Sequence, residues 1–214
     1  MHKKRILLLL GGVYHDFDGF ANAITPVFRK NGYDVEATYD PEALMCLDKN
    51  CFDIVLMYTC LGGTKQDDKT GEDLTAAQTE FLVKWVQEGG GLLAAHAATV
   101  IGESNSELRR LIGGVFVSHP PEFSFCVYPM FREHPITRGI EAFSVHDELY
   151  LETYDETVDI HMITHDRGIC YPVVWSKCEE KGRVAHIAMG HGSCVWELPS
   201  YKQLMLQAVE WVAP

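Results

Sequence analysis

The segment Gly89-Gly90-Gly91-Leu92-Leu93-Ala94-Ala95-His96-Ala97-Ala98 puts an imidazole where a nucleophile is expected. It reads as a turn, a buried strand, a sharp corner of small residues and the start of a helix. Acyl-transfer enzymes carry a catalytic Ser or Cys at such a strand-to-helix elbow. Imidazole does not easily replace a thiolate, but it is the commonest protein metal ligand and a good general base. The competing reading of His96 is a core histidine, satisfied at a strand end. Ligands of open parallel sheets bind outside the carboxyl ends of the strands. His15, after Gly11-Gly12, and His191, in Gly190-His191-Gly192, also fall just beyond such ends.

Other residues carry chemistry with a plainer alternative beside it. His15-Asp16 could serve a site or cap the helix that follows. His191 could be a ligand or fill a glycine-lined turn, although its flanking glycines suggest a close approach to the backbone. His119 is fixed ahead of Pro120-Pro121. Asp147 and Glu148 are adjacent in the apolar run 144–152, where strand alternation puts them on opposite faces, so that one at most looks into a given site. A buried carboxylate there needs a cation, a metal or hydrogen-bond donors. His186, in mid-strand, and Cys60, with no base nearby in sequence, read as core. The stretch 134–139 reads as a tight turn.

The elements that must position these groups alternate through the first half. Strands are predicted at 5–10, 33–38, 52–58 and 91–96, and helices at 19–30, 41–47 (after Asp40, with proline at the first helical position) and 75–88. This series implies a parallel sheet with helices on both faces. The second half is richer in strands, at 122–128, 144–152, 160–164, 172–176 and 183–189, before a closing helix at 201–212. No linker or repeat interrupts the chain, so residues 1–214 are expected to form one domain with an antiparallel extension.

Composition narrows the function. A formal charge of −12 with no basic cluster beyond Lys3-Lys4-Arg5 argues against nucleic acid. Hydrophobic residues make up 47% of the 214, enough for a core without staples. Seven cysteines without a Cys-x-x-Cys pair read as reduced core residues of a cytoplasmic protein. The apolar run Ile6–Leu10 is too short for a signal peptide, and no stretch reaches membrane-spanning length.

The ordered set Gly11-Gly12 with His15-Asp16, Gly90 to Ala98, His119-Pro120, His134 to Gly139, Asp147 to Tyr150, Pro172 to Trp175, Gly182-Arg183-Val184, Gly190-His191 and Trp196 resembles the ThuA-like family, named for trehalose utilisation. The resemblance implies an α/β fold, flavodoxin-like and similar to class I glutamine amidotransferases, with His96 in place of the amidotransferase cysteine. It also implies carbohydrate metabolism: trehalose, other disaccharides or their 3-keto derivatives, handled alongside a sugar dehydrogenase. The chain departs from the family at Tyr14, where many relatives are more polar, and at His186, often aromatic; neither is expected to touch the site.

Three functions follow. The first is a metal-dependent enzyme on a keto-sugar or glycoside, with His96, His119 and His191 as ligands of zinc or manganese and Asp147, or else Glu148, adding oxygen. His15, Asp16, His96 and Glu148 would then be catalytic, removing a proton acidified by the polarised ketone in an elimination, hydrolysis or isomerisation. Tyr58, Tyr150 and Trp196 would bind the sugar. The second is a non-catalytic sugar-binding or partner module, in which those aromatics and Trp175 provide stacking surface. The third, an amidotransferase-like hydrolase, is weakened by the missing Cys or Ser. A homo-oligomer is compatible with all three; nucleic acid and membrane partners are not expected.

Overall fold

In the computed structural model, which describes residues 3–48, 51–62 and 72–214, the parallel half forms as the sequence predicts. Strand β1 (Arg5–Gly12) is flanked by β2 (Asp34–Thr38) and β3 (Ile54–Cys60), followed by β4 (Gly91–Ala95) and β11 (Gly182–Ile187), all parallel. Beyond β11 the sheet turns antiparallel through β10 (Ile169–Glu179), β9 (Asp159–Asp166), β6 (Phe123–Pro129) and β7 (Phe143–Asp147). One nine-stranded sheet, ordered β2-β1-β3-β4-β11-β10-β9-β6-β7, thus joins both halves.

The apolar run of β1 is continuous because both its faces are covered. Ile6, Leu8 and Leu10 pack in a core with Phe20, Ile24 and Phe28 of helix α1 (Phe17–Lys30) and Leu204, Ala208 and Val209 of the closing helix (Pro199–Val212). Leu7 and Leu9 join the opposite core with Leu82, Trp85 and Val86 of helix α2 (Ala76–Gln87) and Leu108 and Leu111 of helix α3 (Ser106–Ile112). Local chemistry sets the helix ends: the Asp16 side chain caps α1, and Thr75 with Gln78 closes a capping box on α2. The segment after Asp40 is a 3-10 turn, Pro41–Cys46, where a helix was expected.

Two corrections bear on the site. The single strand predicted at 144–152 is broken: β7 ends at Asp147, and β8 (Leu151–Tyr154) pairs instead with β5 (Gly114–Ser118) in a separate two-stranded sheet. Glu148, Leu149 and Tyr150 therefore cross between two sheets. The cysteines are all free, but only Cys60 is buried; Cys46, Cys170, Cys178 and Cys194 are exposed. No helix among the described residues is long and apolar enough to cross a membrane.

Candidate metal and substrate site

His96 occupies the elbow in a left-handed conformation, φ 45°, opening a 3-10 turn (His96–Thr99) straight from β4. A β-carbon is strained there, and such strain collects at functional positions. The ring is fully buried. Because β4 and β11 run in register with Ala95 opposite Ile187, the next carbonyl, Ala188 O, lies 2.7 Å from His96 Nδ1. That carbonyl can only accept, so Nδ1 carries the proton and Nε2 presents its lone pair toward Glu148.

Two more histidines are set the same way. His15 Nδ1 donates to Val13 O at 2.9 Å, and His119 Nδ1 to Pro120 O at 2.9 Å, leaving both Nε2 atoms as bases. His191 points Nδ1 at Glu148 Oε2 (3.2 Å) and Nε2 at Glu122 Oε1 (3.5 Å). Glu148 is the centre of the set: Oε2 is also 3.6 Å from His96 Nε2, and Oε1 is 3.6 Å from His119 Nε2.

Donor atoms of His15, His96, Glu148 and His191 all lie within 4.8 Å of one another. Ligands about 2.0–2.1 Å from a tetrahedral ion are roughly 3.3–3.4 Å apart, close to the 3.2 and 3.6 Å contacts of Glu148. His96 Nε2 and His191 Nδ1 are buried without a hydrogen-bond partner among the described residues, a costly state that a cation would relieve. The donor set therefore fits a divalent metal. Burial, aided by the neighbouring His96 and His191, pushes His15 down to about 3, so that it stays an uncharged donor. Burial opposes the charge of Glu148, but the His191 and His96 imidazoles outweigh it and hold the carboxyl well below the usual range. His191, against Glu148, is raised.

Several expected site residues do other work. Asp16 is spent on the α1 cap, accepting from Gly19 N at 2.8 Å. Asp147 was expected as a ligand, but its two oxygens accept from Gly190 N (2.7 Å) and His191 N (3.0 Å). Burial pushes its carboxyl up, against those amides and His96. Tyr58 and Trp196, expected to face sugar, are buried and donate to Gly190 O at 2.9 and 2.6 Å. All three residues thus hold the turn that presents His191. Gly190 itself is required: at φ 131° its β-carbon would stand 2.5 Å from the Tyr201 hydroxyl. Burial pushes the Cys60 thiol up to about 11, which removes it as a nucleophile.

An open cleft of about 700 Å³ runs past the cluster, lined by His15, His119, Glu148, Tyr150 and His191. Tyr150 packs 4.1 Å from the His96 ring, with its hydroxyl 3.4 Å from His15 Nε2. Tyr14, expected to stay clear of the site, lines the cleft as well. Sequence reasoning missed Glu122, Phe116 and Glu152. The last of these accepts from Thr99 Oγ1 at 2.6 Å, bracing the elbow turn, and lies 3.3 Å from His186, a core residue as expected. Glu122 and Glu152 gave a faint signal, as acids at the ends of predicted strands; Phe116 gave none.

A sequence profile of the ThuA family, described as trehalose utilisation, matches residues 5–212. Among solved structures, a protein described as ThuA-like from Parabacteroides merdae superposes with a TM-score of 0.81 at 18% identity, covering 99% of this chain and 90% of its own. Another so described, from Bacteroides uniformis, gives 0.75 at 21% identity over 98% and 91%. A cytoplasmic protein of Salmonella typhimurium gives 0.71 at 16% identity over 98% and 100%. At these identities the likeness establishes the fold alone. A search of curated proteins gave no match.

Proposed function

The chain belongs to the ThuA trehalose-utilisation family, and we propose that within its carbohydrate-related role it is a metal-dependent enzyme acting on a disaccharide or its 3-keto derivative. The strand order β2-β1-β3-β4-β11 supports a flavodoxin-like, amidotransferase-type frame. The observation that carries the enzymatic reading is the orientation of the imidazoles. Three rings have Nδ1 tied to main-chain carbonyls, so their Nε2 lone pairs are left to gather around one carboxylate.

His15, His96, Glu148 and His191 would hold the ion, zinc or manganese by donor type. Bound there, it supplies Lewis acidity toward a sugar carbonyl or hydroxyl oxygen. His119 stands outside that set, about one-third exposed, and is the group we assign to move a proton between the substrate and the cleft. Its basic Nε2 faces the site, and the Pro120 carbonyl stabilises the imidazolium it becomes. The Tyr150 hydroxyl, pushed well above its ordinary value by burial and by Glu148, stays protonated and can donate to a substrate oxygen. A sugar dehydrogenase would supply the ketone, in the cytoplasm, a location the free thiols favour. The non-catalytic alternative loses three of its four stacking aromatics, since Tyr58, Trp175 and Trp196 are no more than 2% exposed, while Tyr150 lines the cleft.

Elemental analysis of protein purified without a polyhistidine tag, followed by chelation and titration with zinc and manganese, tests the reading. One tightly held ion per chain is expected. Protein that takes up neither metal would overturn it.

A further inference from the structure

The cleft is larger than the cluster needs. At about 700 Å³ it lies within the range of pockets that take drug-sized molecules (roughly 300–1,000 Å³) and leaves room beyond one sugar ring set against the donor atoms. Away from the donor atoms its lining changes character, to the aromatic rings of Tyr14 and Phe116, the aliphatic Val117 and the charged Glu103 and Arg109.

Tyr14 is 53% exposed yet held at φ 69°, a conformation that suits Gly or Asn and strains a tyrosine. The loop enforces it. Gly12, at φ 109°, passes so near Cys60 that a β-carbon would lie 2.0 Å from its carbonyl oxygen, and two residues after Tyr14's neighbour the chain must return for His15 Nδ1 to reach Val13 O. The backbone that carries this exposed ring is therefore held in place where the ring lines the cleft. Phe116 comes from β5, in the small sheet, and continues the aromatic wall of the reacting end, with its ring 4.5 Å from Tyr150 and 5.8 Å from His119. Arg109 is likewise held still, donating to the carbonyls of Gly102 and Ile101. Aromatic faces beside an anchored polar group match a pyranose, whose ring face is apolar and whose rim is all hydroxyls.

We infer that Tyr14 and Phe116 form a second subsite that stacks on the far ring of a two-ring saccharide while the near ring lies against the histidine cluster. This rests on the carbohydrate reading proposed above. It makes Tyr14 a determinant of substrate length, with no part in holding the metal.

Calorimetric titration of the full chain with trehalose, glucose and phenyl α-glucoside, in the presence of cobalt, tests it. The wild type should bind trehalose about tenfold more tightly than glucose. Tyr14→Asn, which keeps the left-handed backbone and removes the ring, should reduce that ratio to about threefold or less, as should Phe116→Ala, with glucose affinity and cobalt stoichiometry unchanged. An unchanged ratio in both variants, or no preference in the wild type, overturns the subsite and leaves the metal reading standing. Tighter binding of phenyl glucoside than of trehalose overturns the assignment to a sugar ring. Cobalt bound with no sugar bound overturns the subsite and the carbohydrate reading together.

Discussion

His96→Asn separates the ligand from the scaffold. The ring is fully buried, so any truncation costs stability whether or not His96 holds a metal; His96→Ala would lose the ring packing and also leave Ala188 O unpaired. Asparagine tolerates the left-handed backbone, and its Nδ2 stands where imidazole Nδ1 stood, so it can still donate to Ala188 O. It lacks Nε2. In metal-free buffer we expect about 1–2 kcal/mol of destabilisation for Asn, from lost packing, and about 1–3 kcal/mol more for Ala. Metal changes the comparison. An ion at 1,000 times its Kd adds about 4.1 kcal/mol to the wild type. If loss of one ligand raises Kd about 100-fold, the same concentration adds only about 1.4 kcal/mol. At about 2–4 °C per kcal/mol for a chain of this size, the metal-induced rise in Tm should shrink from about 8–16 °C to about 3–6 °C. Thermal unfolding with zinc and with chelator reads both terms. An Asn variant that gains as much from zinc as the wild type would refute the ligand role, whatever its metal-free stability.

Glu122→Gln should weaken zinc binding about tenfold by releasing the orientation of His191 Nε2, with little change in metal-free Tm because the Glu122 side chain is exposed; competition titration checks it, and unchanged affinity removes Glu122 from the site. Asp147→Asn presents an NH2 group to one of two buried amides and should cost about 2–4 kcal/mol in urea unfolding; a cost below about 1 kcal/mol would show that the Gly190-His191 turn is held by its other contacts. His161, stacked 3.8 Å from His134 and 2.7 Å from Ser176 Oγ, is pushed down to about 4 by burial and by His134. The unfolded chain, titrating at about 6.5, binds more protons between those values. Metal-free stability should therefore fall as pH drops from about 6.5 to 4, by about 2–3 kcal/mol from this group; His161→Gln should flatten the profile, and parallel curves for variant and wild type would count against it.

The strand-end histidines were legible because two local signals coincide there: an apolar run that must be buried on both faces, then small residues where the chain leaves the sheet. The choice between Asp147 and Glu148 was not. Alternation assumes an unbroken strand, and here the chain changes sheets at Glu148, so one acid serves the turn beneath while its neighbour enters the cleft. Tyr58 and Trp196 misled through their type. An aromatic with a polar tip suits a sugar, but it equally suits a buried carbonyl, and Gly190 O takes both. Helix α3 and β5 went unread although Asn105 and Gly113, at φ 81°, are the N-cap and left-handed C-cap of the short helix. Seven residues hold too little periodicity to stand out.

The donor side chains at positions 15, 96, 148 and 191 meet only because of the order of strands. β1 and β11 are separated by β3 and β4, and Glu148 arrives from the far edge of the sheet. A site assembled from such distant pieces could have depended on its metal for folding, as small zinc domains do. Here each of the three histidines has an anchor that needs no ion: Val13 O for His15, Ala188 O for His96, and for His191 the Asp147 carboxylate on its own amide. Both core clusters are also built independently of these side chains, from the interior faces of β1, β3 and β4 against the helices. The cost of gathering imidazoles around a carboxylate is thus met by the fold before any cation binds. Placing His96 at a strained elbow makes sense on those terms, since a rigid donor loses little freedom on ligation, and the strain is borne by the packing of β4 rather than by the metal.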